Sequence, residues 1–150
     1  MDLGFNNEIK SYLESHNLII DELARIIKQN KNSYIIKTIS GDSNAQISGK
    51  FRYKIIDRSE YPAVGDWVIF KIEEKNKLII EKILPRKTII QRKTISKSIN
   101  KQTIASNVDI AFVLQDIKYD YNLNRLDRLI AICSISNIIP MIIFTKIDII

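Results

Sequence analysis

The chain has 150 residues, 45% of them apolar and 27% charged, with 23 basic against 17 acidic side chains and a net charge of +6, which suits one globular domain or two small ones. No apolar run reaches the ~20 residues of a membrane span, and the start Met1–Asn6 lacks the basic and apolar regions of a secretion signal, so a cytoplasmic protein is expected. One cysteine, Cys133, excludes an internal disulfide and, with the single His16, a conventional zinc site.

Residues 1–20 read as a helical extension, because Phe5, Ile9 and Leu13 recur at four-residue steps, the spacing of one helix face. His16 lies in a polar stretch and is not assigned to catalysis. Residues 21–93 read as short β-rich runs divided by polar turns. Leu23–Gln29 and Tyr34–Ser40 flank the turn Asn30-Lys31-Asn32. Gly41-Asp42-Ser43-Asn44 leads into a strand expected over Ala45–Ile56, with Gly49 as a bulge. Tyr61–Asp66 is a loop before the strand Trp67–Ile72, and Lys75-Asn76-Lys77 turns into Leu78–Leu84. Five strands without a long helix fit a small all-β barrel, best an OB-fold, a five-stranded Greek-key barrel that commonly binds oligonucleotides. An SH3-like barrel competes. Trp67 is expected in the barrel core; Tyr53 and Phe51 suit either packing or base stacking through an open barrel face.

A basic stretch follows. Arg86, Lys87, Arg92, Lys93, Lys97 and Lys101 fall within sixteen residues that contain no acid, interleaved with Ser, Thr, Asn and Gln. Such a stretch can neutralise phosphates while hydroxyls and amides add hydrogen bonds, so these six are the candidate RNA contacts. Residues 94–103 read as a basic linker, and the competing reading of the whole stretch, less favoured, is a merely solvated one.

From 104 to 150 the pattern becomes α/β. Asn107–Leu114 is a nearly continuous apolar run, as in a strand covered on both faces. Leu123, Leu126, Ile130 and Cys133 then mark an amphipathic helix from Asn122 to Ser136, with Cys133 inward and Arg125, Asp127 and Arg128 on a solvated face. A second apolar strand, Met141–Phe144, follows Pro140. This βαβ unit implies a parallel, right-handed crossover. It empties into Thr145-Lys146-Ile147-Asp148, placing those residues at the carboxyl end of a strand, where open α/β sheets bind ligands. The pattern (Asn/Thr)-Lys-x-Asp is how GTP-binding domains read guanine. A carboxylate accepts from the ring N1–H and the exocyclic amino group, a donor pair adenine lacks. The Lys stem can lie over the base while its ammonium stays wet. Thr145, Lys146 and Asp148 are therefore the candidate nucleotide-binding residues. No phosphate loop accompanies them: of Gly4, Gly41, Gly49 and Gly65, only Gly49-Lys50 comes near Gly-x4-Gly-Lys-Ser/Thr, and it fails at Phe51. Either the tetrapeptide is a chance match, or the order of elements is unusual and the loop lies beyond Ile150. No catalytic residue or metal ligand is assigned, and Asp109 and Asp116 show no partner.

Five motifs in order, Pro62–Val68, Ile83–Thr88, Ile104–Asp109, Asn122–Leu129 and the Lys-x-Asp element, resemble the ribosome small-subunit-dependent GTPase A family (RsgA, also called YjeQ) over nearly the whole chain. The resemblance implies an OB domain followed by the start of a circularly permuted P-loop GTPase domain, in which guanine recognition precedes the phosphate loop. It implies a hydrolase that uses GTP and magnesium, carries zinc in a C-terminal domain absent here, and assists late maturation of the small ribosomal subunit by binding that subunit and its rRNA. It further implies that these 150 residues are the N-terminal portion, expected to be monomeric and by themselves to neither hydrolyse GTP nor bind it tightly. Thr145 stands where the family usually has Asn, and a hydroxyl reproduces only part of an amide's bonding. The alternatives are a stand-alone OB-fold RNA-binding module without nucleotide chemistry and an interaction protein without a ligand.

Overall fold

The computed structural model describes residues 3–73, 77–93 and 101–149. Five strands close into a barrel: β1 (Leu23–Gln29), β2 (Tyr34–Thr38), β3 (Gly41–Ile47), β4 (Trp67–Glu73) and β5 (Lys77–Ile83). Their order around the barrel is β1-β2-β3-β5-β4. All neighbours are antiparallel except β3 and β5, which run parallel with Ala45 opposite Leu78. That Greek-key order with a parallel closure is an OB-fold and decides against the SH3-like alternative. Two-residue alternation supplies the core. Ala24, Ile26, Tyr34, Ile36, Ala45, Ile47, Val68, Phe70 and Ile80 fill the interior, while intervening residues such as Lys71 and Gln46 face out.

Two expectations require correction. The strand read over Ala45–Ile56 ends at Ile47 and is replaced by a short helix, α2 (Gly49–Lys54). Ser48 accepts a hydrogen bond from the Phe51 amide at 2.9 Å, an N-cap that satisfies one of the helix's free donors. Phe51 and Ile55 lie one turn apart and pack against the barrel core, so Gly49 begins a helix rather than a bulge. Trp67 is buried as expected, but not inside the barrel. It joins Leu13, Leu23, Ile69 and Leu84 in a second core beneath α1 (Asn7–Ser15), with Phe5 edge-on at 6.1 Å. The apolar face of α1 is thus spent on the barrel's outer wall.

After the barrel, β6 (Ile89–Lys93) and β7 (Lys101–Ser106) pair antiparallel. Residues 101–103, read as the end of a linker, therefore begin a strand. Next come β8 (Ile110–Asp116), α3 (Leu123–Ile135) and β9 (Ile139–Thr145). β8 and β9 are parallel with Ile110 opposite Ile139 and Asp116 opposite Thr145. Asn122 caps α3 through a 3.0 Å bond from the Arg125 amide. Val113, Leu126, Cys133 and Ile138 are buried, whereas Phe112, Leu114, Ile139 and Met141 are exposed. Among the described residues this sheet is covered by α3 on one face only, which departs from the two-sided cover expected of its apolar strands. No helix among the described residues is long and apolar enough to cross a membrane.

Candidate functional site

Parallel pairing brings the ends of β8 and β9 together, and the candidate base reader lies there. Lys146 takes a left-handed backbone conformation, φ 60°, which turns the chain out of β9 into a short 3-10 turn over Ile147–Ile149. Its ammonium donates to the Asp116 carboxylate at 2.5 Å and stands 5.0 Å from the Tyr119 ring centroid. Asp116 also accepts from the Lys118 and Tyr119 amides at 2.9 and 3.1 Å. The loop beyond is fixed from within: Gln115, 1% exposed, donates to the Asp116 and Asp120 carbonyls, and Arg125 pairs with Asp120. Arg125 thus braces the loop from the solvated helix face on which it was read, and Asp127 and Arg128 are exposed there too. Asp148 is exposed and makes no hydrogen bond to a described residue, leaving its carboxylate open to an incoming donor pair. Thr145 is half-buried at the strand end.

Sequence reading missed Asp116 and Tyr119. The signal was present: an acidic residue ending the first strand of a βαβ unit lies in register with the end of the second. The Lys146 hydrogen bond, then that from the Tyr119 amide, holds Asp116 below the usual carboxylate range. A depressed carboxylate contributes its interaction fully above its ordinary value and loses it as pH falls through the lowered one. NMR signals of the Lys146 side chain are accordingly expected to stay constant down to about pH 4 and to move only below it. Asp116→Asn should abolish that transition.

A second constellation lies where the barrel meets β7, and it gathers the segments 62–68, 83–88 and 104–109. Asp66 is fully buried. It accepts from the Ala63 amide at 2.8 Å, from Arg86 Nε and Nη2 at 2.8 and 2.7 Å, and from the Ser106 hydroxyl. Arg86 uses its other N–H groups on the Ser59 and Tyr61 carbonyls, 2.7 and 2.8 Å away, and on Thr103 Oγ1 at 3.4 Å. All five guanidinium donors are engaged. Arg86 is therefore a buried tie and not the phosphate contact the basic stretch suggested. Gly65 approaches β7 closely, and the Ser106 amide donates to the Val64 carbonyl at 2.9 Å. Arg25 extends the network, donating to the carbonyls of Gly65 (3.1 Å), Asn107 (3.1 Å) and Leu3. Burial lowers the Arg25 pKa, an effect partly offset by Asp109 and Asp66.

The other candidate RNA contacts separate. Lys87 is exposed and pairs with Asp109 at 3.7 Å, which gives Asp109 the partner its sequence context did not show. Arg92 is exposed on β6, Lys93 ends β6 opposite Lys101, and Lys101 is exposed at the start of β7. Lys97 lies outside the described residues. Among the described residues no cluster of three metal-binding side chains occurs.

Residues 83–150 match the model of the RsgA GTPase family. A small ribosomal subunit biogenesis GTPase RsgA 1 of Oceanobacillus iheyensis is 38% identical over 130 residues, covering 86% of this chain and 37% of that protein. The RsgA 2 protein of Lactiplantibacillus plantarum is 35% identical over 126 residues, 84% of this chain and 36% of its own length. Among solved structures, YloQ, a circularly permuted GTPase, superposes with a TM-score of 0.59 at 26% identity over 85% of this chain and 42% of that one. YjeQ from Thermotoga maritima shares the fold, with a TM-score of 0.63 at 17% identity over 86% of this chain and 42% of that one. The chain thus spans well under half the length of the curated relatives it matches.

Proposed function

The chain belongs to the RsgA GTPase family, and from that premise we propose that it supplies the RNA-binding barrel and the guanine-reading βαβ unit of a GTPase that binds the small ribosomal subunit and assists its late maturation. The observation that carries the nucleotide half of this reading is the arrangement at the strand ends. Lys146 is held in place by Asp116 and Tyr119, beside an Asp148 carboxylate with no protein partner among the described residues. A carboxylate so placed selects guanine through two adjacent N–H donors, and adenine would leave it unpaired. Fixing the Lys stem beforehand lowers the ordering cost of laying it along a base. Thr145, in place of the usual amide, makes this a looser reader than Asn would.

The residues present do not extend to the rest of the chemistry. No glycine-rich phosphate loop occurs in the sequence, so no step of hydrolysis is assigned to this chain and no residue to magnesium. Zinc does not fit either: Cys133 is buried in α3 and His16 is stacked on Tyr12 beside α1.

The test is direct. Guanosine and adenosine monophosphates titrated separately into labelled protein at millimolar concentration are expected to shift the amides of Thr145–Asp148 with guanine only. Asp148→Asn should erase that preference. Equal responses to both bases in the unaltered protein would refute the assignment.

A further inference from the structure

A cleft of about 400 Å³ opens between the loop after α2 and strand β7, bordered by Gln29, Ile56, Arg58, Tyr61, Gln102 and Thr103. Its rim is cationic. Arg58 borders it directly; across it Arg92 lies in register with the bordering Gln102, and Lys101, the residue before Gln102, is close enough to act on the charge of Asp57. Arg52 and Lys54 lie in the last turn of α2, immediately before this loop. Lys54, Arg52, Arg58 and Arg92 form no ion pair with a described residue. The two acids nearby are spent on backbone amides: Asp57 accepts from Ser59 at 2.7 Å and Glu60 from Ile56 at 2.9 Å. Asp57 is held below the usual carboxylate range, first by its hydrogen bonds from Ser59 and to a smaller extent by the charge of Lys101.

The same segment carries two large side chains that the fold leaves in solvent, Tyr53 on α2 and Ile56 at the cleft border. Tyr53 is 92% exposed and Ile56 is 95% exposed. Neither supports the barrel, whose core uses Phe51 and Ile55 from the same segment. A bare aromatic ring on α2, three residues before the Ile56 that borders the cleft and flanked in sequence by Arg52 and Lys54, together with a cleft bearing amide side chains, has the chemistry of a single-stranded nucleic-acid platform: a π-face for a base, charges for phosphates, amides for base edges.

We propose that this cleft, with Tyr53 and Ile56 as base platforms and Arg58, Arg92 and Lys101 as phosphate contacts, is a binding site for single-stranded RNA. The proposal rests on the reading of the barrel as an RNA-binding module and goes further, naming a face and a strand state. It also replaces the inward-turned Arg86 with Arg58 as the guanidinium on that surface. Duplex RNA fits less well, since an unstacked base is what a protruding tyrosine can take up.

Fluorescence anisotropy of the whole chain with a labelled mixed-sequence RNA of about twelve nucleotides, single-stranded or annealed, tests this. The single strand is expected to bind more tightly than the duplex. Tyr53→Ala should weaken single-strand binding about tenfold, and Arg58→Ala should reduce the slope of log affinity against log salt by about 0.7. Both side chains are exposed, so unchanged thermal unfolding is expected to accompany these losses. If Tyr53→Ala and Arg58→Ala bind like the unaltered protein while Lys28→Ala and Lys31→Ala at the β1–β2 turn lose affinity, the cleft is wrong and the RNA-binding reading stands. If the unaltered chain binds neither RNA form, both fail.

Discussion

Gly65→Ala is expected to destabilise the protein by about 3 kcal/mol or more, lowering its unfolding midpoint by roughly 6–12 °C. Two costs add. Gly65 has φ 94°, a left-handed conformation that an L side chain adopts only under strain. A Cβ built there would also lie 2.0 Å from the Ser106 carbonyl oxygen and 3.1 Å from its carbon, both backbone atoms of β7. Relief requires moving β7 away from the Tyr61–Asp66 loop. That movement breaks the bond from the Ser106 amide to Val64 and loosens the hydroxyl of Ser106 from Asp66. Gly41→Ala separates the two costs, because Gly41 has φ 123° with nothing within 4 Å of the added methyl; it should lose only about 1 kcal/mol of backbone strain. Calorimetry on both variants decides the matter. Equal losses would mean that the close approach to Ser106 contributes nothing.

Asp66→Ala is the second large effect, expected to cost about 3–5 kcal/mol. The substitution leaves the Arg86 guanidinium, whose side chain is 12% exposed, without its counter-charge, and deprives the Ala63 amide and Ser106 hydroxyl of their acceptor. Removing one member of a buried pair is far costlier than the net worth of the pair, since the remaining charge has already lost its water. Arg86→Lys keeps the charge but cannot make the two parallel bonds to Asp66 while also reaching the Ser59 and Tyr61 carbonyls. It should destabilise by about 2 kcal/mol with RNA affinity unchanged per folded molecule. Loss of RNA affinity without loss of stability would return Arg86 to the surface role that its place in the basic stretch suggested. Because the pair joins the barrel loop to the segment leading into β6 and the serine belongs to β7, these residues also tie the barrel to the strands beyond it.

How far the residues alone disclosed this molecule follows from the range of each interaction. Alternation in Tyr34–Thr38, the unbroken apolar run Trp67–Phe70, and the three- and four-residue spacing of Leu123, Leu126 and Cys133 are local signals, and each of these three predicted elements is present. Lys50 to Ile55 failed for a definable reason. Phe51, Tyr53 and Ile55 alternate as in a strand, yet Phe51 and Ile55 are also one helical turn apart, so both periods fit the pattern. The Ser48 cap and the packing of that one-turn pair on the barrel decided for the helix. Trp67 was legible as buried but not as to which side of β4 it covers, because both faces of that strand are apolar and α1 supplies a second core.

By itself the sequence determined that the first part of the chain is short β-rich runs and that a βαβ unit follows, and it carried the family resemblance through its five motifs, since each depends on side-chain chemistry within a few residues. Only the tertiary structure decided what those residues do to one another. Asp66 meets Arg86 across twenty positions and Lys146 meets Asp116 across thirty. A charge in a sequence carries no sign of whether its partner is a phosphate, water or another side chain. That choice is made by which strand ends the fold brings together and by which groups it removes from solvent.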